Sequence, residues 1–330
     1  MRALDLRRLA SDAQPGQARA AVSPGDILVV GEAIGDFIPR DAEGRRYEAV
    51  LGGSGFNAAL ALARFGARPA YASALSTDAL GRRFRAALVA EGIDAALIRD
   101  SARPTAVAII APLGPDGVPA YGLYLEGTAH AEPNGTPDRC PPGTRHVHAA
   151  SFGATIGPSG EASLALMADA RAAGASISYD VNIRPSVLPD REMTLALVER
   201  RIALCDIVKV SLEDLDWLCP RQSADEVSLA WRALGAGTVL VSMGQEGAVC
   251  DGPDGIFGLP SPSITIADTV GAGDTFIGGF LAILAARGRL GHGFHDASRD
   301  DLTAALAFAC AVAADSCTRP GCDPPRRIAV

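Results

Sequence analysis

The spacing of apolar and polar positions divides the chain into two kinds of segment. Residues 26–30 and 238–242 are short apolar runs with the length of buried strands, whereas residues 56–65 and 275–287 repeat apolar positions at helical spacing. Gly66 follows the first of these helices, where glycine commonly ends a helix. The same patterns predict further helices at 163–173, 193–204, 225–234 and 302–314, and further strands at 177–181 and 206–210.

This alternation predicts the fold class. Strands separated by helices are typical of an α/β protein with a doubly wound, mostly parallel sheet and helices on both faces. Ligands of such sheets bind at the carboxyl ends of the strands, so polar residues at those ends are the first candidates for a functional site. We expect residues 25–330 to form a single α/β domain and residues 1–24 to form a flexible N-terminal arm without an assigned function.

Two stretches interrupt the alternation. Residues 36–51, and residues 105–125 with Pro115-Asp116-Gly117 in their middle, have the pattern of hairpin strands without an intervening helix. We expect both to lie apart from the main sheet as a small β lid over the active site, which would exclude water during group transfer. An edge hairpin without a function is the alternative.

Composition excludes several classes of protein. A chain of 330 residues that is 48% hydrophobic can bury a large core, and a net charge of −8 without a Lys/Arg block argues against a nucleic-acid partner. The seven cysteines are scattered without a Cys-x-x-Cys pair, which favours reduced thiols. The start of the chain does not resemble a signal peptide, and there is no apolar run of about 18 residues. We therefore expect a cytoplasmic protein without a membrane partner.

Lys209 is the only lysine in the chain. A P-loop requires a Gly-Lys-Ser/Thr sequence and a protein kinase requires a lysine on its third strand, and Lys209 has neither setting. Any phosphoryl transfer must therefore use another scaffold.

The most informative motif is Asp-Thr-Val-Gly-Ala-Gly-Asp-Thr-Phe at 268–276, which leads directly into an apolar helix. Backbone amides of Gly271, Ala272 and Gly273 at a helix N-terminus can bind an anion, because they lack partners and the helix dipole adds positive charge. Asp274 in this turn is a candidate proton acceptor. A helix cap alone is the other interpretation of this carboxylate.

Further polar groups follow the strands. Gly52 and Gly53 precede a helix that contains Asn57, and glycines beside a helix-start Asn can lie flat against a polyol. Asp36 follows the first strand, where its carboxylate could accept two sugar hydroxyls. A tight glycine turn and a turn aspartate are the alternatives.

Two more groups follow later strands. Asp180-Val181-Asn182-Ile183-Arg184-Pro185 begins at the carboxyl end of strand 177–181, and it is either a ligand site or a solvated loop. Glu213 and Asp214 follow strand 206–210, and such carboxylates could hold Mg²⁺ through water, since this ion keeps several of its waters.

With these motifs the chain resembles the ribokinase-like (PfkB-type) carbohydrate kinases over roughly residues 25–325. Segment 268–276 is similar to the C-terminal signature of that family, and Gly52 to Asn57 is similar to its sugar-binding signature. The resemblance implies ATP-dependent phosphorylation of a sugar hydroxyl with Mg²⁺. The chain departs from the family pattern at Ser211, which stands where the Asn-x-x-Glu motif has asparagine, and at Ser76, which stands where the Gly-x-Asp motif has glycine.

The resemblance also assigns roles by position. It implies that Asp274 is the catalytic base and that Gly271, Ala272 and Gly273 form the anion hole. The residues implied for the sugar site are Asp36, Gly52, Gly53, Asn57 and Arg184. Those implied for the nucleotide site are Asn182, Lys209, Ser242, Gly244, Gly247 and Cys310, with 318–321 closing the adenine side.

Several segments look most like bacterial fructokinases, which implies fructose as the acceptor and fructose 6-phosphate as the product. 2-Keto-3-deoxygluconate kinases share the Asp-x-Asn-x-Arg element, and Arg184 could meet either a substrate carboxylate or the ATP phosphates. A ribokinase or nucleoside kinase and a sugar-sensing protein without catalysis are further alternatives.

The assembly and a second ion are also predicted. The apolar alternation of Val107 and Ile109 would permit a homodimer through the lid. A K⁺ site could use the carbonyls of Asp268 and Val270, and the water-mediated Mg²⁺ contact is placed at Asp214.

Overall fold

The structure of the chain is a computed structural model, and it describes residues 25–111, 121–188 and 190–326. The N-terminal arm expected at 1–24 and the turn expected at 115–117 lie outside the described residues.

An eight-stranded sheet forms the centre of the fold. Six neighbouring strands of this sheet are parallel to one another, and the two strands at one edge pair as antiparallel neighbours. In spatial order the strands are β14 (Gly255–Leu259), β13 (Ala248–Gly252), β12 (Thr238–Ser242), β11 (Ile207–Ser211), β10 (Ser176–Asp180), β9 (His146–Ala150), β1 (Ile27–Val30) and β4 (Pro69–Ala72).

Eight α-helices are described. They are α1 (Ser54–Arg64), α2 (Ala79–Ala90), α3 (Gly157–Ala172), α4 (Arg191–Ile202), α5 (Leu212–Leu218), α6 (Ala224–Leu234), α7 (Ala272–Ala286) and α8 (Arg299–Ser316). The predicted helices all form, but each begins earlier than expected. Capping boxes explain two of these starts, because Ser223 pairs with Glu226 at α6 and Ser298 pairs with Asp301 at α8.

Helices cover both faces of the large sheet, which confirms the doubly wound α/β fold. One apolar cluster includes Phe56 of α1 and Phe280 of α7, and the opposite cluster includes Met167 of α3 and Trp231 of α6. Helix α7 packs closely against α1, since a Cβ added at Gly278 would lie 2.5 Å from Cβ of Ala61. This close packing brings the N-termini of α1 and α7 together above the sheet.

The two predicted hairpins join in a separate four-stranded sheet, so the expected small β element is present. Its strands, in spatial order, are β3 (Tyr47–Gly52), β2 (Ile34–Pro39), β7 (Ala106–Ile110) and β8 (Tyr121–Tyr124). A further pair, β5 (Ala74–Ser76) and β6 (Arg99–Ser101), forms a two-stranded sheet. Among the described helices, none has the length and apolar character required to cross a membrane.

Candidate active site

Asp274 lies in the first turn of α7, and its carboxylate is buried with 6% of the residue exposed. Its Oδ1 atom accepts a hydrogen bond from the Ser54 hydroxyl at 2.6 Å, and its Oδ2 atom accepts one from Nδ2 of Asn57 at 2.8 Å. Both donors are on α1, so this helix holds the carboxylate through both of its oxygens. Sequence analysis predicted Asn57 as a sugar ligand, whereas here its amide nitrogen donates to the predicted base.

A chain of hydrogen bonds continues from Ser54 across the carboxyl end of the sheet. Nδ2 of Asn182 donates to the Ser54 hydroxyl at 3.2 Å, and Arg184 donates to Oδ1 of Asn182 at 2.7 Å. Asn182 has a φ of 38°, a left-handed conformation that is uncommon for a residue other than glycine. The structure therefore brings Asn182 and Arg184, predicted for different ligands, to one side of Asp274.

Glu32 supports the start of α1 from the end of β1. Its Oε1 atom accepts from the amide of Ser54 and its Oε2 atom from the amide of Gly153, each at 3.0 Å. Burial raises the pKa of Glu32 to about 7, and the charge of Asp274 adds to this effect. Gly53, the residue before α1, has no side chain that could cap the helix, so Glu32 provides the missing acceptor.

The predicted anion hole consists of residues 271–273, which directly precede Asp274 in the chain. Gly271 precedes α7 with a φ of 73°, and a Cβ at this position would overlap the side chain of Cys322. The amides of Gly271, Gly273 and Asp274 donate to no described residue, as an anion site requires. The amide of Ala272 already donates to the carbonyl of Thr269 at 3.2 Å, so the prediction that this amide is free was wrong.

Lys209 and Asp180 form a buried ion pair beside this turn. Nζ of Lys209 lies 3.1 Å from Oδ1 and 3.2 Å from Oδ2 of Asp180, with hydrogen-bond geometry only toward Oδ2. Burial raises the pKa of Asp180 to about 7, although Lys209 opposes the shift. Burial lowers the pKa of Lys209, but Asp180 and two nearby carboxylates outweigh it and raise that pKa. A Cβ at Gly273 would lie 2.7 Å from Nζ, which places the ammonium group against the anion turn.

Asp36 approaches the same space from the small sheet. It lies within β2, and a Cβ at Gly52 would overlap its carboxylate, so glycine is required there. Burial raises the pKa of Asp36 to about 6; Arg184 lowers it and Asp274 raises it. Oδ1 of Asn57 is buried without a hydrogen-bond partner among the described residues, so an acceptor atom of the site remains available.

The residues predicted for the nucleotide lie in three places. Lys209 and Asn182 are in the group described above, and Ser242 ends β12. Gly244, with a φ of 56°, and Gly247, with a φ of 105°, form the following turn. Cys310 is on α8, is 5% exposed and belongs to the same apolar cluster as Phe280 of α7, so its predicted nucleotide contact gains no support.

The carboxylates of Asp214 and Asp268, which belong to the residues predicted for the Mg²⁺ and K⁺ sites, have protein partners. The carboxylate of Asp214 accepts from the amides of Ile183 at 3.1 Å and Ser211 at 3.4 Å, and the second of these bonds completes a capping box with Ser211, the N-cap of α5. Asp268 accepts from the amides of Val270 at 3.0 Å and Gly321 at 2.8 Å. Within the described ranges, no group of three or more His, Cys, Asp or Glu side chains could hold a metal ion.

Three residues of this site were not predicted from the sequence. Ser54 and Glu32 lie inside the two motifs that supplied Asn57 and Asp36, so their positions were a usable signal. Cys322 packs against Gly271 from a segment about 50 residues away, which local sequence patterns do not reveal.

Residues 25–328 match the pattern of the pfkB family carbohydrate kinases. The chain belongs to this family. A pfkB carbohydrate kinase is a phosphotransferase with a hydroxyl group as acceptor, and the geometry around Asp274 accords with that chemistry.

Among curated pfkB relatives, the chain is similar to a fructokinase of Rhizobium leguminosarum bv. trifolii, with 35% identity over 78% of this chain and 79% of the relative. Among solved structures, a variant of the fructokinase of Vibrio cholerae O395 with fructose, ADP and potassium ion has a TM-score of 0.78 and 26% identity, covering 90% of this chain and 93% of that one.

A third relative is the aminoimidazole riboside kinase of Salmonella enterica, solved with aminoimidazole riboside and an ATP analogue. It has a TM-score of 0.76 and 27% identity, covering 90% of this chain and 94% of that one. Two different acceptors therefore occur among similarly related pfkB kinases.

Proposed function

We propose that this pfkB kinase transfers the γ-phosphoryl group of ATP to a hydroxyl of fructose and forms fructose 6-phosphate. The observation that carries the proposal is the position of Asp274, a buried carboxylate held by two donors beside three amides that donate to no described residue. A proton acceptor next to an anion site is what phosphoryl transfer to an alcohol requires.

The proposed reaction follows from this arrangement. The acceptor hydroxyl donates to Asp274 while its oxygen attacks the γ-phosphorus in line with the β–γ bridging oxygen. The bond to the bridging oxygen breaks, the hydroxyl proton passes to the carboxylate, and ADP leaves. The amides of Gly271 and Gly273 and the ammonium group of Lys209 would stabilise the charge on the phosphoryl oxygens without reorganising.

Polar atoms of the acceptor side fit a polyol. Asp36 and Oδ1 of Asn57 can accept hydrogen bonds from hydroxyl groups, and Arg184 can donate a hydrogen bond to a hydroxyl oxygen. The similarity to fructokinases favours fructose. Aminoimidazole riboside is the second candidate, because a kinase named for it matches almost as well in fold.

Mg²⁺ would neutralise charge on the nucleotide phosphates when bound. Since the Asp214 carboxylate is engaged in the capping box of α5, we propose that this ion is held mainly by the phosphates, with Asp214 or Glu213 contacting its waters. The carbonyls of Asp268 and Val270 accept no hydrogen bond from a described residue, which fits the predicted K⁺ site. A higher midpoint of thermal unfolding in K⁺ than in Na⁺ at equal ionic strength would support that site, and equal midpoints would count against it.

We also propose that the small sheet acts as the lid and as the contact between two subunits. Ile109 on β7 and Tyr124 on β8 are exposed at 38% and 58%, which leaves apolar surface on this sheet. Sedimentation velocity of the parent and of Ile109→Glu would test the contact. A dimer that the variant disrupts supports it, and a parent that is monomeric at all concentrations contradicts it.

The acceptor is tested by ADP release in the presence of ATP and Mg²⁺. The panel is fructose, aminoimidazole riboside, 2-keto-3-deoxygluconate, ribose and adenosine, and phosphorus NMR of the product locates the new ester. We expect the highest kcat/KM with fructose and an ester at its 6-position. A higher kcat/KM with another compound replaces fructose by that compound, and tight sugar binding without ADP release would reject the enzyme in favour of a sensor.

A further inference from the structure

The Ser54 hydroxyl connects the predicted base to the rest of the acceptor side. It is 5% exposed, and it lies 2.6 Å from Oδ1 of Asp274 and 3.2 Å from Nδ2 of Asn182. A buried serine between a carboxylate and an amide could in principle donate to either one. The proton of this hydroxyl can therefore have either of two directions.

The neighbouring groups determine that direction. Arg184 has only donors, so the atom of Asn182 that faces it must be the carbonyl Oδ1, and the amide nitrogen of Asn182 must then face Ser54. An amide nitrogen can only donate, so the single proton of the Ser54 hydroxyl is directed to Oδ1 of Asp274, the acceptor on its other side. Hydrogen bonds aligned in one direction polarise and strengthen one another.

The backbone of Ser54 is held as firmly as its side chain. Ser54 is the first residue of α1, and its amide would have no acceptor inside the helix. Oε1 of Glu32 accepts this amide at 3.0 Å, and Oε2 of the same carboxylate accepts the amide of Gly153. The hydroxyl thus projects from a backbone position that is attached to two other loops of the site.

Asn57, the second donor to Asp274, has a side chain with one unpartnered atom among the described residues. Asn57 donates to Oδ2 of Asp274 through Nδ2, but its Oδ1 atom is buried without a partner among the described residues. An arriving acceptor hydroxyl can satisfy that oxygen, so Asn57 has a reason to shift toward the substrate. Ser54 has none, because its amide and its hydroxyl already have partners.

We propose that Ser54 is a positioning residue that holds the Asp274 carboxylate in the orientation in which it accepts the proton of the substrate hydroxyl. The inference rests on the proposed function. Ser54 touches neither phosphate nor acceptor in this assignment, so its effect must appear in turnover rather than in nucleotide binding.

The test compares Ser54→Ala with Ser163→Ala in the full chain. Ser163 on α3 is a matched control, since it is 1% exposed and its hydroxyl has no partner among the described residues. We expect Ser54→Ala to lower kcat by roughly 10- to 100-fold, the value of a hydrogen bond to a charged group, with the KM for ATP within about twofold of the parent. Ser163→Ala should keep the parent kcat.

A second variant covers the case in which Ser54→Ala does not fold. Ser54→Cys retains a side chain of similar shape but has only a weak S–H donor, so its kcat should also fall while circular dichroism shows a folded protein. The inference is overturned if a folded Ser54 variant keeps the parent kcat, or if kcat and the KM for ATP change together. Failure of the proposed function is distinguishable, because the parent itself would then release no ADP with any acceptor.

Discussion

The two sides of Asp274 are built in opposite ways. On the proposed acceptor side, Ser54 and Asn182 form hydrogen bonds with one another, with Arg184 and with the carboxylate. On the phosphate side, the amides of Gly271 and Gly273 have no partner among the described residues. A base needs a fixed orientation before the substrate arrives, whereas an anion site needs donors that the anion itself will satisfy.

This difference predicts two kinds of defect. Changes on the acceptor side should lower turnover, and changes on the phosphate side should weaken nucleotide binding. Variants on each side, with controls elsewhere in the fold, can therefore test whether the two sides differ in this way.

The largest effect is expected for Asp274→Asn, which keeps the shape of the side chain but removes the proton acceptor. Loss of general-base catalysis should lower kcat by about 10²- to 10⁴-fold, with ATP binding by calorimetry nearly unchanged. Asp251→Asn is the matched control, because Asp251 is also 6% exposed and also receives donors on both oxygens, far from the site. Turnover of Asp274→Asn within a few-fold of the parent would remove the base from the mechanism.

Lys209→Met tests the cation of the phosphate side. It leaves Asp180 buried without its partner, which should cost about 3–5 kcal/mol in the free energy of unfolding, measured by urea denaturation. The double variant Lys209→Met/Asp180→Leu should recover much of that stability, since two apolar groups replace the pair. Neither variant should recover the parent affinity for ATP; a double variant with parent affinity would show that Lys209 serves the fold alone.

Gly271→Ala tests the shape of the anion turn. Its Cβ would overlap Cys322 at a φ of 73°, so the turn must shift and the amides lose their alignment. Gly288→Ala is the control, because Gly288 has a φ of 71° and nothing within 4 Å of the added Cβ. We expect a rise in the Kd for ATP of about tenfold for Gly271→Ala, equivalent to about 1.4 kcal/mol, and little change for Gly288→Ala. Equal changes in both would attribute the effect to backbone strain rather than to the anion site.

Asp36→Asn should give the smallest effect, on stability as a function of pH. Folding raises the pKa of Asp36 from its ordinary value of 3.8 to about 6. Because the folded chain then binds this proton more tightly than the unfolded chain does, the group makes the parent less stable as the pH rises between those values. The variant should therefore exceed the parent in unfolding midpoint above pH 6, and the difference should shrink as the pH falls toward 3.8. Its KM for the acceptor should rise. A difference in midpoint that is independent of pH would contradict the raised pKa.

Much of the fold could be predicted because its signals are local. The alternation of apolar spacing identified the α/β class and the strand 238–242 with its observed bounds. Helix starts were placed too late because the apolar pattern begins after the capping residues, as at Ser298 and α8. Short strands such as β9, whose His146 and His148 interrupt the apolar pattern, were missed.

The sequence predicted where the main residues of the candidate site lie along the chain, but not which of them form hydrogen bonds with one another. The motif at 268–276 identified Asp274 because a glycine turn before a helix has one local geometry. Nothing in that motif shows that Ser54 and Asn57 hold the carboxylate, since these residues are 220 and 217 positions away. The role of Asn182 beside the base, and of Glu32 beneath α1, was hidden for the same reason.

Local signals in the sequence were enough to predict most strands and helices, the place of a phosphate-binding turn and the sugar-kinase signature. Backbone preferences and apolar periods act over a few residues, so they can be read along the chain. The donors that reach Asp274, the pairing of Lys209 with Asp180 and the use of the Ala272 amide within the turn became visible only in the folded chain. Those contacts depend on strand register and on the close packing of α1 against α7, which the whole core determines together.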